Sequence, residues 1–177
     1  MIYTIADYEP EATIEVAKLM AVAARTAPKA RGIDLIETII LDKEDKRALA
    51  QTMRELGIAE GKSFFIRDAN CVDECHYVVI IGTSVKPRGL NCGFCGAQNC
   101  SLAENDGFSC AMSVNDLGIA LGSAASIAMD NRVDNRILFS AGMASLQMKL
   151  LSNKVKLSFG IGLATTGKNI FFDRKPL

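Results

Sequence analysis

Apolar positions recur along this chain at helical spacing in some stretches and in β-branched runs in others, and their order sketches a sequence of elements. Glu9-Pro10 opens a first helix, with Pro at a first-turn position where its missing N–H costs nothing. Val16, Leu19, Met20 and Ala23 form its apolar face, and Pro28 and Gly32 end it. Leu35 to Leu41, bounded by Asp34 and Asp42, reads as a strand. Asp42 caps the next helix, Glu44 and Asp45 suit its first turn, Leu49, Met53 and Leu56 make its buried stripe, and Gly57 stops it. From Gly61 to Glu74 the pattern fits a strand or an amphipathic helix, and a helix after Lys62 is the preferred reading. Tyr77-Val-Val-Ile-Ile81 is an unbroken apolar run of the kind that is covered on both faces of a sheet.

Ser113-x-x-Asp116 has the form of a capping box opening a central helix, and the apolar stretch from Leu117 to Met129 reads as buried. Gly118 and Gly122, with Ser123, Ala124 and Ala125, predict tight packing of another element on that helix. A helix is expected over Asn135 to Leu150 and a strand over Leu157 to Ala164. Ile170-Phe-Phe172 predicts a short strand or arm docked on a neighbour such as another subunit. The expected architecture is one layered α+β domain over 1–177, with a mixed sheet, a buried central helix and a Cys-rich loop at 90–112.

Length and charge narrow the function. A chain of 177 residues can bury roughly 70% of its unfolded surface in one core, so no staple is needed for stability. Twenty basic residues balance twenty acidic ones, which gives no field to attract nucleic acid or an anionic membrane. The N-terminus has no signal-like pattern, and the Leu117 to Met129 stretch is shorter than the roughly 20 residues of a bilayer span. A cytoplasmic setting without membrane or nucleic-acid partners is expected.

The chemistry is concentrated in Cys92-Gly-Phe-Cys95-Gly-Ala-Gln-Asn-Cys100, followed by Cys110. Gly93 and Gly96 let the backbone fold back and bring sulfurs together, because glycine takes positive φ without a Cβ clash. Iron–sulfur clusters use four thiolates from a short Cys-rich run plus a more distant Cys, and Cys110 is the natural fourth ligand. A structural zinc site, which more often pairs two short knuckles, stays open as the alternative, in a metal-stabilised interaction or sensor module. Cys71 and Cys75, four apart, read as buried thiols before accessory ligands. His76, the single histidine, reads as structural. Gly162-x4-Gly167-Lys168 lacks the Ser or Thr and the following helix of a phosphate loop, so it reads as a turn. Arg136 or Lys168, near Asp134 and the Asp173-Arg174 pair, could hold a cofactor phosphate.

Several strings together resemble a family of prokaryotic ferredoxin-domain-containing proteins. They are Ala23 to Asp34, the Cys92 to Cys100 motif, Asp116 to Ala124, Val133 to Arg136 and Thr166 to Arg174. The motif is also similar to that of corrinoid iron–sulfur proteins. This resemblance implies a 4Fe-4S cluster on the Cys92, Cys95 and Cys100 motif, with Cys110 as the fourth ligand read from the sequence, and the leading expectation is electron exchange with a donor or acceptor protein or a small redox molecule. The order of elements further resembles the flavin nitroreductase fold, which implies a homodimer with FMN at the subunit interface. Residues 9–24 offer only Lys18 where that family is Arg-rich, so Arg25, Lys29 and Arg31 are the cations left to contribute. The resulting expectation is an electron-transfer protein or a small flavin-linked oxidoreductase.

Overall fold

The computed structural model describes residue 2 and residues 4–172; the Asp173-Arg174 pair lies outside the described residues. The first helix, α1 (Ile5–Thr26), begins before Pro10, because Asp7 Oδ2 accepts both the Thr4 N–H (2.8 Å) and its hydroxyl (2.7 Å). Its buried side comprises Thr13, Val16, Ala17, Met20 and Ala24, while Leu19 stays exposed. A short 3-10 turn at Ala30–Gly32 leads into β1 (Ile36–Leu41).

Helix α2 (Lys43–Ala59) follows, then α3 (Ser63–Glu74), the helix preferred over a strand for that stretch. Gly57 does not stop α2. A Cβ there would lie 2.8 Å from Phe65 Cβ, so this glycine is a packing device that lets α3 close on α2. Strand β2 (Tyr77–Thr83) is followed by the Cys-rich loop, with its one short helix, α4 (Cys100–Asn105). Helix α5 (Ala111–Asp130) starts at Cys110 and not at a Ser113 cap.

The stretch expected as one helix over 135–150 divides into β3 (Asp134–Leu138) and α6 (Phe139–Gln147). The last strand, β4 (Leu157–Ala164), has the expected bounds. After it, Ile170–Phe172 is a turn. Phe171 plugs the core, and within Ile170–Phe172 only Phe172 is exposed.

The sheet order is β1-β2-β4-β3, and every pairing is antiparallel, which corrects the expected mixed sheet. Two helices rather than one crossover helix separate β1 from β2, which suits an antiparallel return. Alternation along β2 divides the interior. Val79 and Ile81 join Ile161 and Leu163 of β4 beneath α1 and α5. Val78 and Ile80 face the layer of α2, α3 and α6, opposite Gly162 and Gly160. The result is a single α+β layered unit with helices on both faces of a small sheet.

Helix α6 lies hard against β4. A Cβ on Gly142 would come within 1.9 Å of Ser158 O, and one on Gly160 within 2.7 Å of Ala141 Cβ. Helix α5 is long and apolar enough to cross a membrane by length and composition, but its inner face packs on the sheet. It is buried on one side only. Gly118 and Gly122 have nothing within 4 Å of a built Cβ, so no element of the described chain packs on them as the sequence suggested.

Candidate metal centre

The segment after β2 runs along the first turns of α5 and is stitched to it at three points. Cys110 N donates to Val85 O (3.0 Å), Ser113 Oγ to Lys86 O (2.6 Å), and Arg88 Nη2 to Asp116 Oδ2 (2.7 Å). Ser113 and Asp116 therefore face this segment instead of capping the helix. Asp116 also accepts the Ala30 N–H on Oδ1 at 2.9 Å, and Arg31 Nη1 reaches Arg88 O at 3.0 Å. The Arg88–Asp116 pair, each residue 1% exposed, thus ties the loop, the turn after α1 and α5 together.

Cys110 is buried at the N-cap of α5. Burial pushes its thiol up, but the main-chain N–H groups of Ser113, Arg88 and Met112 point at the sulfur and more than offset this, leaving it below the ordinary thiol value. The Ser113 hydroxyl contributes little there, since its proton goes to Lys86 O. Cys100 sits at the start of α4 in a reciprocal pair with Asn91. Asn91 N donates to Cys100 Sγ (3.3 Å), and Cys100 N donates to Asn91 Oδ1 (2.8 Å).

Cys92 is exposed and Cys95 half-buried, on a turn closed by Gly96 N to Gly93 O at 2.9 Å. Gly93 (φ 72°) and Gly96 (φ 86°) occupy the left-handed region, as the motif required, with open space around them. Among the described residues no group of three or more Cys, His, Asp or Glu is arranged to hold a metal ion. The donor set nonetheless fits a cluster in kind: four thiols, of which Cys100 takes an N–H hydrogen bond and Cys110 is held below the ordinary thiol value.

The remaining candidates lie elsewhere. Cys75 and His76 precede β2, while the Cys-rich loop leaves its far end, so roughly 20 Å of strand separates them. Burial pushes the Cys75 thiol up to about 12, only partly countered by the Lys46 ammonium, and Cys71 Sγ lies 3.6 Å from Ile170 O. Both are core thiols. His76 is half-buried, and its ring is held below its usual pKa chiefly by burial.

Arg25 pairs with Asp34, and the Lys29 ammonium caps the carbonyls of Ala24, Arg25 and Ala27. Lys168 is exposed on the loop after β4, and Arg136 stacks over Phe172 at 5.2 Å. The Arg88–Asp116 pair leaves little trace in the sequence. Its partners are 28 positions apart, and only the lone Arg just ahead of the Cys-rich run hinted at it.

An uncharacterized protein of Archaeoglobus fulgidus is 36% identical over 179 residues, covering 96% of each chain. Residues 106–174 match a family described as an uncharacterized protein containing a ferredoxin domain. The chain belongs to this family. The matched span holds Cys110, Ser113 and Asp116 but not Cys92, Cys95 or Cys100.

Among solved structures, the chain is similar to nitroreductase CinD from Lactococcus lactis in complex with chloramphenicol (TM-score 0.63, 15% identity, 88% of this chain and 79% of that one). It is similar also to a nitroreductase with bound FMN from Desulfitobacterium hafniense (TM-score 0.60, 14% identity, 87% and 78%) and to the nitroreductase from Saccharomyces cerevisiae (0.59, 14%, 89% and 84%). At these identities the likeness shows the fold: a nitroreductase-like α+β domain.

Proposed function

We propose that this protein is an iron–sulfur redox protein in which Cys92, Cys95, Cys100 and Cys110 hold a 4Fe-4S cluster that exchanges single electrons with a donor or acceptor protein or a small redox molecule. The observation that carries this reading is Cys110, buried at the N-cap of α5 and tied through its own N–H to Val85 O at the head of the segment that carries the other three thiols. N–H donors around a thiolate stabilise its charge and tune a bound metal. Asn91 N does the same for Cys100. Cys110 and Cys100 would be the anchored ligands, and Cys92 and Cys95 on the glycine turn would complete the set. The cluster supplies the one-electron chemistry; the chain supplies ligands, hydrogen bonds and access. A partner would approach at the loop, where Phe94 is exposed. The setting is the cytoplasm, where thiols stay reduced.

The nitroreductase-like fold raises flavin as a companion cofactor, and with it a small oxidoreductase. The turn after α1 does not favour FMN. Arg25 is engaged by Asp34, Lys29 by helix carbonyls and Arg31 by Arg88 O, so the cations expected to meet a flavin phosphate there already have protein partners. A homodimer remains part of the proposal and is argued below from the outer faces of α1 and α5.

The test is the iron, sulfide, zinc and flavin content of anaerobically purified protein, with visible spectra before and after dithionite. About four irons and four sulfides per chain, with a broad absorption that bleaches, is the expected result. One zinc per chain, with no sulfide and no colour, would replace this reading with a zinc-stapled interaction module.

A further inference from the structure

Arg88 is the largest of the fully buried side chains, and the polypeptide does not satisfy it. Nη2 is bonded to Asp116, but Nε and Nη1 have no hydrogen-bond partner among the described residues. A guanidinium carries five N–H donors in a fixed fork, and burying donors of a charged group without acceptors is costly. Asp116 takes only one of these donors: Oδ2 accepts Nη2, and Oδ1 accepts Ala30 N. Two charged donor groups, Nε and Nη1, are thus left over.

The position of Arg88 suggests what they serve. Its guanidinium bonds Asp116, six residues along α5 from the N-cap Cys110, so it lies on the order of 10 Å from that residue by helix rise. The segment is held there by Cys110 N to Val85 O and by Ser113 Oγ to Lys86 O. A buried cation at this range acts in a medium of low effective dielectric and is weakly screened by salt.

We propose that Arg88 is a positioning cation for the anionic group held at Cys110, setting the reduction potential of the cluster, with Asp116 as the counter-charge that holds and offsets it. This inference rests on the cluster reading above. A cluster on four thiolates is anionic and gains one further negative charge on reduction. A nearby cation therefore favours the reduced form and a nearby anion disfavours it. Removing the charge of Arg88 lowers the midpoint potential, and removing that of Asp116 raises it. A pair that merely staples the loop to α5 behaves differently, since loosening it from either side disturbs the site in the same way.

The experiment uses the full chain, purified without oxygen, as wild type, Arg88→Gln, Arg88→Lys and Asp116→Asn. Iron and sulfide per chain are measured first, then the midpoint by a poised spectroscopic titration. Expected are a lower midpoint in Arg88→Gln, a higher one in Asp116→Asn, and a value nearer wild type in Arg88→Lys, which keeps the charge. Should the single variants not fold because one buried charge is left alone, the double variant Arg88→Met with Asp116→Leu replaces the pair by apolar bulk. Its midpoint should differ from that of wild type, because two opposite charges at unequal distances from Cys110 do not cancel, and an unmoved midpoint at full iron and sulfide would overturn the role of the pair. Full iron and sulfide with unmoved midpoints, or shifts of one sign in both single variants, would overturn the role of the pair while leaving the cluster standing. Wild type without iron and sulfide would remove the cluster reading and this inference with it.

Discussion

Single residues show how far local pattern carries and where it stops. Cys71 and Cys75 read as buried thiols, and they are. Ser113 and Asp116 have capping-box spacing but meet Lys86 and Arg88 instead, because the segment after β2 occupies the space a cap would use. Spacing cannot reveal a partner that arrives from another part of the chain. Glycines divide on the same ground. Gly142 is a helical glycine whose added Cβ would strike Ser158 O at 1.9 Å, a backbone atom fixed in β4. Gly142→Ala should therefore destabilise by about 3 kcal/mol, lowering the melting temperature by about 6 °C or more. Gly118, also helical, has open space, and Gly118→Ala should stabilise a single chain by about 1 kcal/mol. Thermal denaturation of both variants as single chains checks the opposite signs; a neutral Gly142→Ala would mean that α6 is free to lift from the sheet.

At the scale of elements, β1, α2, α3, β2 and β4 were legible because each carries its own periodicity and punctuation. Strand β3 was not. Asp134-Asn135-Arg136 disfavours a strand by composition, and it is one only because β4 pairs with it, Asn135 opposite Leu163 and Ile137 opposite Ile161. The start of α1 was missed for a smaller reason. Pro10 looked like a first-turn residue, but Thr4 and Asp7 begin the helix earlier and place Pro10 inside it. Hydrogen bonds from the Thr4 N–H and then its hydroxyl hold the Asp7 carboxyl below its ordinary value of 3.8. A depressed carboxylate stabilises the fold above its unfolded pKa, and that contribution is lost as pH falls through the folded value. The first turn of α1 should accordingly fray on acidification below about pH 4, and Asp7→Asn should be frayed at all pH values. Backbone carbon shifts of residues 5–8 would report it. A first turn that stays helical in acid would show that the carboxylate is dispensable.

The whole molecule leaves one side unexplained by its own packing. α1 and α5 lie together, joined where Ser123 Oγ donates to Ala23 O, and both turn apolar groups outward. Leu19 and Val22 on α1 are 52% and 58% exposed, and Ile119 and Met129 on α5 are 38% and 63% exposed, next to the open Gly118 and Gly122. Isolated exposed apolar residues need no account, but several on two adjoining helices point to an interface. Glycines at that surface would let a second backbone approach. The tight packing the sequence predicted for Gly118 and Gly122 would then be satisfied by a second copy, which no reading of one chain can reveal. Ile119→Glu places a charge on the outer face without touching the core, so it should leave the melting curve of the monomer nearly unchanged while blocking association. In sedimentation at micromolar concentrations, wild type should run with the mass of two chains and Ile119→Glu with that of one. The same interface reverses the sign of Gly118→Ala, because the added methyl that helps an isolated helix would meet the partner. Its melting temperature should exceed that of its parent in the Ile119→Glu background and fall below it in the wild-type dimer. A wild type that sediments as one chain across this range would show that the α1 and α5 face serves some other contact or none.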